Sequence, residues 1–336
     1  MEVYITIDTE CTEEREIRGV IRPPLGYDVM MRGRIRGEQR GLGTDFIVDA
    51  LERYGFQATF FVEALCAEHF GIHGLSEVCS DLARGGHDVQ LHLHPNFRRP
   101  EWRRTGLKPL TDNIGDYDLR VQEQLLDDGL RLLDDAGVRR SSIVAFRAGN
   151  YGASNITWEA LRNRGFVIDS SLNLAFIDSD CHIVPDQPRI DLYEPIAGLW
   201  ELPISCFTEG TGYRHLEITA ILFPEMKAIL EKLYQSGAIA ATIVTHPGEF
   251  FVVDDHERGK GRPNRINIAR FLRLLTFLDS NRSRFEVKTL SALARSLSDL
   301  GRKPAVPVDI PKGSRAWRAA RLPVQAAKRL ATRPRA

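Results

Sequence analysis

Cysteine is scarce and unpatterned. The chain holds five, Cys11, Cys66, Cys79, Cys181 and Cys206, and no CxxC pair. An odd, scattered set argues against a disulfide framework and fits reduced thiols of a cytosolic protein. Long apolar runs are missing too. No stretch reaches the roughly 18 residues a spanning helix needs. The opening "MEVYITIDTE" reads at once as a strand, without the basic-then-apolar pattern of a signal peptide. The expected location is therefore cytoplasmic. Net charge is absent as well, with Lys+Arg and Asp+Glu both at 45. That balance argues against a general nucleic-acid binder. There is no internal repeat.

What is present is the composition of a folded domain, 336 residues with 43% hydrophobic and 27% charged. Short apolar runs alternate with amphipathic stretches. The strands are expected at "EVYITID", "FQATFFVEA", "HDVQLHLH", "SIVAFRAG", "FVIDSS" and "AIAATIVTHP"; a less regular stretch to about Gly212 includes "LWELPIS", and "RFEVKTL" and "SALARSLSDLG" close the domain. Between them lie helical segments such as "TDFIVDALERYG", with Thr44 as its expected N-cap, and "DYDLRVQEQLLDDGLRLLDDAG". Near-continuous apolar strands alternating with helices predict parallel strands covered by helices, in an open sheet or a barrel. Residues 11–43 and the segment around 95–115 read as irregular. From Gly301 to Ala336 there are ten Lys/Arg against one Asp, and the composition shifts to Pro, Ala and Arg. The chain thus divides into a domain over 1–300 and a basic, flexible tail over 301–336. Within that tail, Trp317, Leu322 and Val324 would face an anionic membrane if it lay on one.

Chemistry in such a fold belongs at the C-terminal ends of the strands. There the sequence places Asp8 and Glu10, His92 and His94, Arg147, Asp169 and His246. Asp8 and Glu10 are two apart, as are His92 and His94, so each pair shares one face of its strand. Two imidazoles on one face, followed by Pro95, suit a metal such as Zn²⁺. Taken singly, each pair also reads as ordinary polar residues at a strand end. His87, on the other side of "GGH", is expected to be structural.

Taken in order, "TIDTE", "ATFFV", "GHDVQLHLHP", "FRAGNYG", "IDSS" and "IVTHP" resemble the motifs of the polysaccharide deacetylases, the carbohydrate esterase family 4 or NodB-homology domain. The likeness runs from about Val3 to Leu300. It implies a deformed (β/α) barrel with about seven parallel strands, one divalent metal ion, and hydrolysis of an N-acetyl group from a sugar. By that resemblance Asp8 is the general base, and Glu10 takes the place of the metal-ligating acid, since Thr9 occupies the adjacent position. His92 falls where the first histidine ligand belongs. The family's second histidine would fall at Asn96; His94 is chosen over it because imidazole is the better ligand. Arg147 would pair with the base and orient it. The Tyr151 backbone amide would help hold the oxyanion, with Gly149 and Gly152 letting the backbone approach substrate. His246 would be the general acid. Its usual partner, an Asp before Trp, is missing from "DSSLN", which leaves Asp169 to assist.

The expected activity is thus a metal-dependent amide hydrolase acting on a carbohydrate, with zinc first and cobalt or nickel as alternatives. A cytoplasmic enzyme suggests a nucleotide- or lipid-linked precursor of a surface polysaccharide or other glycan. The seven arginines between Cys11 and Arg40 would suit such anions, although five acids accompany them. No nucleic-acid partner is expected, and the basic tail offers a peripheral membrane contact. Rival readings are a metal-dependent amidase for a cyclic amide or ureide, and a carbohydrate-binding relative without catalysis.

Overall fold

The computed structural model describes residues 1–17, 20–36, 38–98, 111–255, 259–300 and 306–331. Its centre is a nine-stranded sheet. The strands are β1 (Glu2–Thr9), β2 (Thr59–Glu63), β3 (Asp88–Leu93), β4 (Ala145–Ala148), β5 (Ile168–Asp169), β6 (Tyr193–Ile196), β7 (Leu199–Glu201), β8 (Ala240–Thr245) and β9 (Glu286–Lys288). Seven run side by side in parallel, in the order β8-β1-β2-β3-β4-β5-β7. β6 joins the β7 edge antiparallel, and β9 pairs in parallel with the first residues of β1. The sheet curls, and the chain beyond β7 meets β8: the Thr242 amide donates to Ser205 Oγ at 2.9 Å, and the Val244 amide to the Leu216 carbonyl at 2.9 Å. The architecture is the deformed (β/α) barrel expected from the sequence.

Alternation along the strands explains both the core and the site. Val3, Ile5 and Ile7 of β1 point outward into the main hydrophobic cluster, as do Phe60, Val62, Leu91 and Leu93. The outer layer there includes α1 (Thr44–Glu52), α2 (Ile72–Arg84), α3 (Leu119–Asp135), α4 (Asn155–Asn163), α5 (Phe223–Gln235) and α6 (Arg265–Asp279). Tyr4, Phe61, Ala145, Ile168, Trp200 and Ala240 point inward into a second cluster. That cluster is sealed from below by Leu290, Leu293 and Leu297 of α7 (Leu290–Leu300), so the barrel floor is apolar. Because both faces of the strands are buried, they read as continuous apolar runs. Going up the inward face of β1, Tyr4 gives way to Thr6 and Asp8, and Glu10 follows just past the strand.

α1 starts at Thr44 itself, with Gly43 in the cap position. The chain there runs so close to residues 31–33 that a Cβ on Gly43 would lie 2.3 Å from the Met31 carbonyl oxygen, which leaves no room for a capping side chain. The basic segment is described in part. Its described part, 306–331, lies on the domain and includes α8 (Arg315–Ala331). Arg321 is buried between Glu225 and Glu209, and the Thr208 amide donates to the Pro311 carbonyl at 2.9 Å. Trp317 is half-buried, Leu322 is exposed, and the side chain of Val324 lies outside the described residues, as do 301–305 and 332–336. No helix among the described residues is long and apolar enough to cross a membrane.

Candidate active site

Asp8, Glu10, His92, His94, Tyr151 and His246 all line one cavity of about 220 Å³ at the C-terminal mouth of the barrel. Arg147 lies directly beneath it, fully buried on β4. Its guanidinium donates to Asp8 Oδ1 at 2.6 Å, Thr6 Oγ1 at 2.9 Å, the Ser170 carbonyl at 3.0 Å and Ser170 Oγ at 2.9 Å. It also rests on the Phe61 ring, 4.3 Å from the centroid. A charge this deep needs such a full set of partners. One carboxylate oxygen of Asp8 is held, and the other faces His246 Nε2 at 3.8 Å.

The two histidines of β3 are oriented from behind. His92 Nδ1 donates to the Arg147 carbonyl at 2.8 Å, which fixes its tautomer and leaves the Nε2 lone pair facing the cavity. His94 Nδ1 contacts Asp112 Oδ2 at 2.6 Å. Glu10 Oε2 then lies 2.7 Å from His94 Nε2 and 3.5 Å from His92 Nε2. Lone pairs of a carboxylate and two imidazoles meet at one point, an arrangement that is repulsive unless a proton or a metal cation sits between them. The donor set Glu10, His92 and His94 fits a divalent cation, and the outer hydrogen bonds to Asp112 and the Arg147 carbonyl are the kind that orient histidine ligands. Without a metal, burial alone would lower the pKa of His94, but Asp112 and Glu10 on either side raise it well above the usual value. Burial alone would raise Glu10, yet the charge of His94 and hydrogen bonds from both histidines bring it well down. Asn96 is not part of this set. Its backbone N–H donates to Asp112 Oδ1 at 3.0 Å, so it helps hold the carboxylate behind His94.

The turn after β4 is backbone-strained. Asn150 and Tyr151 have φ of 54° and 58°, consecutive left-handed residues of the kind that gather at functional sites. Gly149 and Gly152 each lie close against a neighbouring side chain. A Cβ on Gly149 would lie 2.6 Å from the His94 ring, and one on Gly152 would lie 2.4 Å from Asn113 Oδ1.

His246 ends β8 and is held by acids the sequence reading missed. Its Nδ1 lies 3.1 Å from Glu249 Oε1 and 3.7 Å from Glu217 Oε1. Burial alone would lower its pKa, but Glu249, Asp8 and Glu10 raise it to about 10. Asp169 does not reach this group. It sits on β5, accepting from Ser171 Oγ at 2.5 Å, and burial raises its pKa to about 6. Asp112, Glu217 and Glu249 were missed because none lies in a recognised motif. Glu249 alone had a local signal, three residues past His246 on the turn Pro247–Glu249. His87 is buried against Phe60 and accepts from the Ala58 amide, a structural role.

Arg32, Arg34, Arg36 and Arg40 do not line the catalytic cavity. They line a separate one of about 890 Å³ beside α1 and the end of α2, where Arg32 pairs with Asp45 and Asp81.

No family model and no curated protein matches the sequence. Solved structures do match. A Mycobacterium smegmatis protein described as a polysaccharide deacetylase superposes with a TM-score of 0.51 at 18% identity, over 81% of this chain and 82% of its own. The 4-alpha-glucanotransferase of Thermococcus litoralis gives 0.54 at 11% identity, over 98% of this chain and 46% of its own. The peptidoglycan deacetylase PdaC of Bacillus subtilis gives 0.40 at 12% identity, over 89% of this chain and 94% of its own. At these identities the first two likenesses speak to fold alone, and one fold here hosts different chemistries. The chain has the fold of the polysaccharide deacetylases, the family its own motifs resemble.

Proposed function

We propose that the protein is a metal-dependent hydrolase that removes an N-acetyl group from an amino sugar. One observation carries this reading: Glu10, His92 and His94 turn their free lone pairs to a single point beside Asp8, which Arg147 clamps from below. A divalent cation bound at that point supplies Lewis acidity toward a water and the amide carbonyl. Asp8 has one carboxylate oxygen unclaimed by Arg147, and in this reading that oxygen takes a proton from the attacking water. The carbonyl oxygen gains charge as the C–O bond forms, and the Tyr151 backbone amide is the donor assigned to it. His246 gives its proton to the amide nitrogen as the C–N bond breaks, releasing acetate and a free amine.

Zinc is the first choice of metal, given two imidazoles and one carboxylate, with cobalt or nickel as alternatives. The finer substrate reading, a nucleotide- or lipid-linked glycan precursor in the cytoplasm, rests on the sequence alone. The four arginines beside α1 bear on it only if such a ligand extends well beyond the cavity.

The test is metal content by mass spectrometry with acetate release from a panel of acetamido sugars, for wild type, Asp8→Asn, His94→Ala and His246→Ala. About one divalent ion per wild-type chain, lost in His94→Ala, is expected. Asp8→Asn and His246→Ala should keep the ion and lose about 10²–10⁴-fold in rate. Metal without turnover on any acetamido sugar or cyclic amide would favour a carbohydrate-binding protein. No metal after loading with Zn²⁺, Co²⁺ or Ni²⁺ would end the hydrolase reading.

A further inference from the structure

We propose that Glu249 and Glu217 act together as the positioning pair of His246, Glu249 accepting its Nδ1 hydrogen and Glu217 adding its charge beside it, so that Nε2 faces the reacting atoms and keeps its proton until the leaving nitrogen takes it. This rests on the deacetylase reading above and gives the role expected of Asp169 to two other acids.

The geometry is built from two separate elements. Glu249 follows β8 on a single turn, and it is anchored on all sides. Its Oε2 accepts from Thr245 Oγ1 at 2.7 Å, and its backbone carbonyl accepts from the side-chain amides of Asn264 at 3.0 Å and Asn267 at 2.8 Å. Asn264 is the N-cap of α6 and Asn267 lies in its first turn, so the helix fixes the turn that carries the acid. Glu217 arrives from the segment that closes the barrel next to β8, where the Ile218 amide donates to the Val244 carbonyl at 3.2 Å. Its Oε2 accepts from Thr219 Oγ1 at 3.0 Å and contacts His215 Nε2 at 3.1 Å. That leaves Glu249 Oε1 to accept from His246 Nδ1 at 3.1 Å, with Glu217 Oε1 beside it at the ion-pair distance of 3.7 Å.

Two carboxylates this close to one another cannot both be charged without a compensating proton. Burial and the charge of Glu217 raise Glu249 to a pKa of about 7. Glu217 moves the other way: burial opposes it, but the hydrogen bond and charge of His215 and the charge of His246 bring it below the ordinary carboxylate range. The pair is placed against an imidazole whose Nε2 lies 3.8 Å from Asp8 Oδ2. The remaining groups around it are Arg270, whose charge bears on Glu249, and the buried Tyr151 phenol, which feels Asp8, Glu217, Glu249 and Arg147. A single acid would orient the ring. Two, sharing one proton, orient it and also resist its loss of charge as conditions change.

The experiment uses the full chain with ¹⁵N-labelled histidine, metal-free and loaded with Zn²⁺, and follows the imidazole signals against pH. The His246 signal is identified by its loss in His246→Ala. In Glu249→Gln and in Glu217→Gln the midpoint of His246 should fall by about one pH unit or more relative to wild type. With turnover measured on the same samples, kcat should fall about 10- to 100-fold while KM and metal content change less than about twofold. Glu249→Asp should restore part of the midpoint. A midpoint unmoved in both glutamine variants would overturn the proposal. Movement in only one would leave a single positioning residue and overturn the pair. Shifted midpoints in a protein with no deacetylase activity would keep the pair and sink the reaction it is assigned to.

Discussion

Arg147 makes the hydrogen bonds that decide whether the site exists at all. Five of its contacts, four polar and one aromatic, are matched to a planar fork, and lysine cannot reproduce them. Arg147→Lys is expected to cost about 3–5 kcal/mol, because Asp8 and Ser170 would be left buried and partly unpaired. Urea unfolding of the variant checks this; a loss under about 1 kcal/mol would mean the guanidinium is not the clamp described. Asp112 acts one step further out. Asp112→Asn keeps the size of the side chain but weakens its hold on His94 Nδ1, and should reduce metal affinity about 10- to 100-fold. Competition with a chelator of known affinity measures that directly. Of these residues the sequence showed Asp8, Glu10, His92, His94, Arg147 and His246, because motif order and strand-end position mark them. It hid Asp112, Glu217 and Glu249, which come from loops whose paths no local pattern sets.

At the scale of elements, the period of two along β1 and β3 converts sequence into architecture. The same face that seals the barrel with Tyr4 below presents Asp8 above, so one register carries core and chemistry together. This part was legible, since apolar runs bounded by polar strand ends survive any detail of packing. The stretch from Leu199 to Ile218 was not. It holds β7, an antiparallel pair, Cys206–Glu209 with Gly212–His215, and the piece that closes the barrel, and its pairing partners lie far along the chain. The turn after β4 offers a test of how tightly the elements are set. Gly149→Ala should fold, since φ at that position is not left-handed, but its methyl group would push the His94 ring that a Cβ there meets at 2.6 Å. Metal affinity should fall by at least about tenfold with thermal stability nearly kept. Unchanged affinity would show that His94 has room to move.

For the whole molecule, a second buried acid pair sets a dependence of stability on pH. Asp169 and Glu201 lie together on β5 and β7, and burial raises Asp169 to about 6 and Glu201 well above its usual value. A carboxyl raised on folding stabilises the protein most while it is protonated. That contribution is full below about pH 4, where the unfolded chain also binds the proton, and is lost as pH rises through about 6. Wild type should therefore lose stability as pH rises from about 4 through about 6, measured as the urea midpoint, and Asp169→Asn should flatten the decline. An equal slope in the variant would place the pH dependence elsewhere. The global charge balance read from composition says nothing of such pairs, because it cannot show which acids end up inside.

The order in which the strands occur along the chain has a consequence in time. β1 is made first, yet its neighbour β8 begins at Ala240 and the floor of the barrel waits for Leu297. At a synthesis rate of about 5–20 residues per second, the strand that carries Asp8 stands with one edge unpaired for roughly 10–50 seconds. During that interval it is a sticky apolar ribbon, open to pairing with any other nascent copy. Yield of the folded protein should then depend on how fast the chain is translated and how crowded the ribosomes are, long before the metal or the substrate matters.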